Sequence, residues 1–494
     1  MYLEHTNPYS ITKQHNREKL HILERIRLLF DKDSFVEVYP DTGEKKETYD
    51  GVITGYGRIF GSQVYFYGQD FTYMGGTFGY HHSKQIIAIL KEAVANRKPI
   101  IGLYDGGGAR IQEGAASVAG CGELFRMNAL ASGSIPQIAI IAGTCAGGAV
   151  YSPGLMDFVF TIEGISNMFV TGAKVVNEVQ GTNYLIEELG GAKIHSSVSG
   201  VAHFRTENEA VCYQKVRKLV DILPPCYLEG SLYRTARYRR KDLWDIGNLL
   251  PKDVHKAYDV KPVIEEILDD DSFIEIQEEF AMNIVTGFGK LGGITVGIVA
   301  NQTIHKNGSI DCDCADKAAR FVQYCDCYNI PIITLADSTG FVMEAEQEHR
   351  GLIRHGAKMI QAYAQATTLK LTIILRKGYG GPYIFMGCKQ IGADKHYVWP
   401  NAEVAVMKAE GAVAVICQKE LRQLEGKEKE EYLKKQIAWY KDTYMNSRIV
   451  LENNFVDEEI RPEMTREILY DDLTRFERKP MEELPPKKHA NIPV

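Results

Sequence analysis

Apolar positions along the chain follow two alternating rhythms. In SKQIIAILKEAVANRK (83–98), Ile86, Ile89, Leu90, Ala93 and Val94 recur at helical spacing, with Ser83 as a candidate N-cap. Pro99 closes that helix, and IIGLYD (100–105) follows as the continuous apolar run of a strand buried on both faces. The same sequence of events returns in KAARFVQYCDCYN (317–329), Pro331 and IITLAD (332–337). A further helix and strand come after each: GELFRMNALAS then QIAIIAG, and HGAKMIQAYAQAT then LTIILRKG. Strands alternating with helices predict an α/β fold of β-α-β units with largely parallel sheets.

The repetition extends to sequence. DKDSFVEVYP (31–40) matches DDDSFIEIQE (269–278), and VITGYGRI (52–59) matches IVTGFGKL (284–291). KPIIGLYDGGGARI (98–111) matches IPIITLADSTGFVM (330–343), and IAGTCAGGAVYSP (141–153) matches LRKGYGGPYIFMG (375–387). Gly55 and Gly287 are 232 residues apart, as are Asp105 and Asp337; Gly147 and Gly380 are 233 apart. Such order and spacing predict an internal duplication. Two domains of one fold are expected, residues 1–245 and 246–494, joined through the polar RRKDLWDIGNLLPKDVHKAYD (239–259).

Composition narrows the function. The 494 residues are 45% hydrophobic and 24% charged, with net charge −7 and no long basic run, which argues against nucleic-acid binding. No stretch of 18 residues is continuously apolar and the first twenty are polar, so a cytoplasmic protein is expected, with any membrane role left to a partner. Ten scattered cysteines suit a reducing compartment. The C-x-C pairs Cys312/Cys314 and Cys325/Cys327 read as helix cysteines, and no paired C-x2-C zinc ribbon exists, so no metal is expected.

Chemistry concentrates in glycines. Gly106, Gly107 and Gly108 follow one strand, and Gly147 and Gly148 follow the next and open a helix near Ala149. One such cluster is as well explained by close packing; matched clusters in both halves favour function. Neither is a P-loop or a G-x-G-x-x-G fingerprint. Bare backbone N–H groups at strand ends suit an oxyanion, such as a thioester carbonyl becoming an enolate, and so point to acyl-CoA chemistry.

The longer motifs GGARIQEG, ASGSIPQIAIIAGTCAGGAVYSPGLMDF, MFVTGAKVV, EELGGAKIHSSVSGVAHF, QEHRGLIRHGAKMIQAYAQAT, GADKHYVWPNAEVAVM and KKHANIPV resemble the biotin-dependent acyl-CoA carboxyltransferase family. That family includes propionyl-CoA carboxylase β subunits and methylmalonyl- or glutaconyl-CoA decarboxylase α subunits. The resemblance implies two tandem crotonase-like domains, the first holding the acyl-CoA and the second holding biotin. It implies an active site between subunits of a dimer and a hexamer made of three dimers. Partners would be a biotin carrier protein and a biotin carboxylase. One donor pair falls at Gly147 and Gly148, assigned to the thioester; the other falls at Gly411 and Ala412, assigned to biotin. Gly106, Gly107, Gly108, Ala109, Arg110 and Ala146 are then expected around the acyl-CoA. Gly340, Phe341, Gly380, Gly381 and Tyr383 are expected around biotin. Arg110 is either a contact to the negatively charged coenzyme A or half of a structural ion pair. His355 reads as a core or interface histidine, and Asp105 and Asp337 as side chains binding backbone. The carboxyl group would pass between carrier-borne N1-carboxybiotin and the α-carbon through an enolate, with biotin itself as the base.

AVMKAEGAV (405–413) stands where the family reads AVMGA-x-GAV, so Lys408 replaces a glycine and is expected to stay unmodified, biotin being carried by another polypeptide. Gly106 for Ser, Thr339 in DSTGF and Pro382 in YGGPY are further departures. Alternatives are a sodium-pumping decarboxylase subunit running the transfer in reverse, a crotonase-type CoA lyase, and a non-catalytic assembly subunit.

Overall fold

The computed structural model describes residues 8–39, 49–230, 246–476, 486 and 489–493. The chain separates into two compact units, Met1–Gly230 with Gln277–Phe280 and Ser231–Ile276 with Ala281–Val494. The expected boundary at 245/246 and the first part of the polar junction fall at 231–245, outside the described residues, as do three residues of KKHANIPV. The described part of that junction is not a linker. Ile246, Leu250 and Tyr258 are buried in the core of the second unit, an apolar pattern that the surrounding charges hide.

The first unit holds an eight-stranded sheet: β1 (Val36–Glu37), β2 (Val52–Ile59), β3 (Ser62–Gln69), β4 (Ile100–Gly106), β5 (Gln137–Ala146), β6 (Phe158–Ile162), β7 (Asn167–Phe169) and β8 (Phe204–Thr206). Their order is β1-β2-β3-β4-β5-β6-β8, with β7 pairing β5. β1, β2 and β3 are antiparallel, and β3, β4, β5, β6 and β8 run parallel. The second unit repeats this with β9 (Ile274–Ile276), β10 (Ile284–Leu291), β11 (Ile294–Asn301), β12 (Ile332–Ser338), β13 (Lys370–Tyr379), β14 (Lys395–Val398), β15 (Glu403–Ala405) and β16 (Glu458–Glu459). Its order is β16-β14-β13-β12-β11-β10-β9, with β15 on β13. Register repeats too: Tyr65 pairs Ile100 and Gly297 pairs Ile332, and both partners shift by 232 residues. The duplication read in the sequence is therefore a duplication of strand register.

β4 and β12 are buried along their whole length, as their unbroken apolar runs require. The helix Tyr80–Asn96 buries Ile86, Ile89, Leu90 and Ala93 and packs on the helix Ala115–Ala131; Cys312–Cys327 packs likewise on Leu352–Gln365. Its N-cap is Gly79, not Ser83. The Tyr80 N–H is already held by the Glu113 carboxylate at 2.5 Å, so the helix starts one turn early, and the buried Ser83 hydroxyl donates back to Gly79 O and Tyr80 O.

Two core histidines are kept neutral. His82 donates from Nδ1 to Asp50 O at 2.8 Å, and His396 lies on β14; burial pushes each down to about 4. Their folded pKa lies below the unfolded value of about 6.5, so the stability they contribute is present above that value and is lost as pH falls toward 4. The melting temperature is expected to fall steadily from pH ~6.5 to pH ~4 in calorimetric scans; a flat profile across that window would contradict these buried neutral histidines.

Candidate active site

Each sheet ends its central strand in the same local device. The Asp105 N–H donates to Gln69 Oε1 at 2.9 Å, and Gln69 Nε2 donates to Gly76 O at 3.1 Å. In the second unit the Asp337 N–H donates to Asn301 Oδ1 at 3.0 Å, and Asn301 Nδ2 donates to Gly308 O at 3.0 Å. The register shifts at this residue in both units; Gly106 and Ser338 make the last pairs, with Cys145 and Gly378, and the strand then leaves the ladder. The freed segment is caught by a parallel bridge, Phe78 to Ala109 in one unit and Ile310 to Phe341 in the other. Gly108 and Gly340 turn at φ +92° and +140°, where a side chain would be strained. Gly106 is buried against Gly76 with no room for a Cβ, whereas Gly107 is exposed. Close backbone approach explains Gly106; it leaves Gly107 as the open member of that cluster.

Among the described residues, the carboxylates of Asp105 and Asp337 bind no backbone group, contrary to expectation. Both are fully buried and hold cations. Asp105 accepts from Lys19 Nζ at 2.6 Å and Arg25 Nη1 at 2.9 Å. Arg25 is also fixed by Glu209 at 2.8 Å and by Ala142 O at 2.8 Å. Burial lowers the Lys19 pKa, and Asp105 opposes that shift. Asp337 accepts from Arg376 Nε at 2.7 Å and faces Lys377 Nζ at 3.4 Å. Unpaired, such carboxylates would be costly to bury. Their partners lie 80 or more residues away in the first unit, which no local spacing reveals.

The second glycine turn follows β5 and β13. Gly147 and Gly380 take φ +63° and +62°. A single helical turn starts there in each unit, and its first amides have no acceptor within the turn. Gly148 is exposed, and Gly381 half-buried. The Gly380 N–H is taken by Ala405 O at 2.8 Å, and Pro382, standing where the first unit has Ala149, has no N–H. The donor available in the second turn is therefore that of Gly381.

Beside each turn a short strand leads into a helix. β15 runs along the end of β13 and leads into the helix Ala409–Ile416, whose N-cap is Lys408. The Ala412 N–H donates to Lys408 O at 3.0 Å, so the expected pair Gly411–Ala412 reduces to Gly411, joined by Ala409 and Glu410 as the other first-turn amides. β7 runs along the end of β5 in the same register and leads into the helix Ala173–Gln180. Sequence reasoning missed this counterpart, although MFVTGAKVV and VAVMKAEGAV share its pattern of a strand followed by a small-residue helix start.

The remaining expected residues divide as follows. Ala109 and Ala146 are half-buried beside the two turns of the first unit. Arg110 is 5% exposed, and its guanidinium donates to Asp50 at 2.6 Å, Glu113 at 2.7 Å and Thr77 O at 3.1 Å; the ion-pair role is the one realised. The Phe341 ring packs on Phe385, 4.9 Å between centroids, and closes the space over Gly381. The Tyr383 hydroxyl donates to Gln390 Oε1 at 3.0 Å. His355 is engaged by Asp316 at 2.8 Å. Cys312, Cys314, Cys325 and Cys327 lie on one helix, and no cluster of three His, Cys, Asp or Glu ligands is gathered among the described residues.

One feature of the first unit had no sequence signal. A cavity of about 250 Å³ is lined by Lys13, Gln14, Arg17, Phe71, Thr72 and Gly75. Gly75 O accepts from the Gly107 N–H at 3.2 Å, so the cavity backs onto the first glycine cluster. Gln14 is buried, and its Oε1 has no partner among the described residues.

The carboxyl transferase domain family matches residues 13–492. The chain is 46% identical over 490 residues to a putative propionyl-CoA carboxylase beta chain of Bacillus subtilis (strain 168), spanning 98% of this chain and 96% of that one. It is 41% identical to the methylmalonyl-CoA decarboxylase subunit alpha of Veillonella parvula, spanning 98% and 95%. The crystal structure of transcarboxylase 12S with methylmalonyl-coenzyme A and methylmalonic acid bound superposes with TM-score 0.93 at 38% identity, covering 99% of this chain and 95% of that one.

The turns make their donors testable. Gly148→Pro removes an N–H at a place where the second unit tolerates Pro382 one residue later; Gly148→Ala keeps the N–H, and its Cβ meets nothing within 4 Å. Gly148→Pro is expected to lower kcat about 100- to 1000-fold, the scale of one lost oxyanion donor, and Gly148→Ala less than about tenfold. Steady-state kinetics on both variants, after a melting curve confirms folding, checks this.

Proposed function

This chain belongs to the carboxyl transferase family and is a biotin-dependent acyl-CoA carboxyltransferase, and we propose that it works through backbone amides, with no side-chain base. The family and activity expected from the motifs are thereby borne out. The observation that carries the mechanistic reading is the repeated turn, Gly147–Gly148 and Gly380–Gly381, each beside a helix start. The amides of Gly148 and of the start of the helix Ala173–Gln180 are proposed to hold the thioester oxygen as it gains enolate charge. The amides of Gly381 and Gly411 are proposed to hold the ureido oxygen. Backbone dipoles at a strand end need no reorganisation as charge develops, which is where their strength lies. When bound, the carrier's biotin supplies both the carboxyl group and the base that takes the α-proton.

Lys13 and Arg17 are proposed to receive a phosphate of coenzyme A, since two exposed cations line one cavity behind Gly107. Lys408 caps a helix and does not sit at a hairpin tip, which supports its staying unmodified and biotin arriving on a separate carrier protein. A hexamer of three dimers is proposed by analogy with transcarboxylase 12S, whose structure is described as a hexamer assembly. A cytoplasmic setting accords with ten cysteines that form no disulfide. The Veillonella relative favours a second reading, transfer in reverse from an acyl-CoA carboxylate to biotin, through the same residues.

Purified protein incubated with malonyl-CoA, methylmalonyl-CoA or glutaconyl-CoA is expected to release CO2 from one of them only when free biotin is present. Equal release without biotin would indicate lyase chemistry and contradict the proposal.

A further inference from the structure

The first unit contains a buried polar chain that its duplicate lacks. Gln137, Asn128, Ser152, Tyr104 and Tyr67 are all fully buried. Gln137 Nε2 donates to the backbone Asn128 O at 3.0 Å. That carbonyl can only accept, so it fixes the Gln137 amide, whose Oε1 accepts from Asn128 Nδ2 at 3.0 Å. Asn128 Oδ1 then accepts from Ser152 Oγ at 2.9 Å. With its one proton so engaged, Ser152 accepts from the Tyr104 hydroxyl at 2.7 Å, and Tyr104 in turn accepts from Tyr67 at 2.5 Å. The chain thus has a single direction and every member is satisfied. Burial pushes the Tyr67 hydroxyl up to about 12 and raises that of Tyr104 well above its ordinary value, so both remain neutral donors.

Its duplicate serves as a control on what the fold itself needs. The repeat spacing puts Val299 at the position of Tyr67 and Ala336 at that of Tyr104. Strand register puts Lys370 at the position of Gln137. Helix ends align Ala362 with Asn128, and the positive-φ glycines align Phe385 with Ser152. The second unit builds the same sheet without this chain. Gly102 is adapted to it as well, because a Cβ there would strike the Tyr67 ring, and Thr334 stands at the matching position.

The chain lies where the two glycine clusters of the first unit meet. Tyr104 immediately precedes Asp105 and Gly106 on β4; Ser152 lies in the helix Tyr151–Leu155 that continues the Gly147–Val150 turn. Successive residues of a strand face opposite ways, so the end of β4 is held on one face through Asp105 by Lys19 and Arg25, and on the other through Tyr104 by Ser152. We infer that Tyr104 and Ser152 are positioning residues for the acyl-CoA half: their contact sets the spacing between the Gly106–Gly108 strand end and the Gly147–Gly148 donors. The inference rests on the carboxyl-transfer reading above and assigns those donors their alignment with the developing enolate.

The test compares Tyr104→Phe and Ser152→Ala, which break the link, with Tyr67→Phe, which removes an equally buried hydroxyl but leaves the link intact. Biotin-dependent decarboxylation is measured with the best acyl-CoA, alongside melting temperature. Tyr104→Phe and Ser152→Ala are expected to lower kcat about 10- to 100-fold with KM within about twofold, the signature of donors displaced in the transition state only. Tyr67→Phe is expected to stay within about twofold of the unaltered protein in both. Equal kcat in Tyr104→Phe and Tyr67→Phe, or a rise in KM in place of the fall in kcat, would overturn the inference while leaving the function reading intact. Absence of biotin-dependent turnover in the unaltered protein would overturn both. Should Ser152→Ala fail to fold, Tyr104→Phe decides alone.

Discussion

The structure depends on how it ends its central strands. A parallel strand that stops must release its backbone groups, and in a buried strand they have no water to turn to. Here a carboxamide from the neighbouring strand, Gln69 or Asn301, takes the last amide and braces the loop that follows. The carboxylate at that position, Asp105 or Asp337, is buried among cations. Held this way, the chain leaves the ladder at a defined point, and the glycines beyond it are placed by the sheet and not by loop flexibility.

In the proposed reading, that constraint explains why the chemistry falls to residues without side chains. An amide presented at a fixed strand end is a rigid donor of known direction, and a Cβ would only obstruct it. The two units share this scaffold and differ in what surrounds it. The first turn is flanked by Ala149 and linked through Ser152 to β4. The second has Pro382 in place of Ala149 and the Phe341 ring over Gly381. Duplication supplies two turns of one backbone geometry, and in the proposed reading local substitutions let them serve different ligands.

Much of this was legible in the chain. Repeat spacing gave both sheets, because register and periodicity are local and the duplicated copy confirms each assignment. The glycine turns were legible for the same reason. What escaped was long-range. Nothing near Asp105 announces Lys19 and Arg25, and nothing near Arg110 announces Asp50. Ser83 looked like a cap because serine suits caps, but Glu113, thirty residues away, moved the helix start. Ala412 was assigned a donor role by resemblance, while its N–H closes an ordinary helical bond to Lys408. The Lys13 and Arg17 cavity combines two remote segments and has no motif at all.

The central claim is that backbone amides, and not side chains, stabilise the reacting thioester. A crystal structure with a non-decarboxylating acyl-CoA analogue tests it most directly. The account predicts the thioester oxygen within hydrogen-bond distance of the Gly148 amide, with no carboxylate or imidazole in reach of the α-carbon. A side-chain acid or base against that carbon, or a thioester oxygen facing away from the turn, would contradict it.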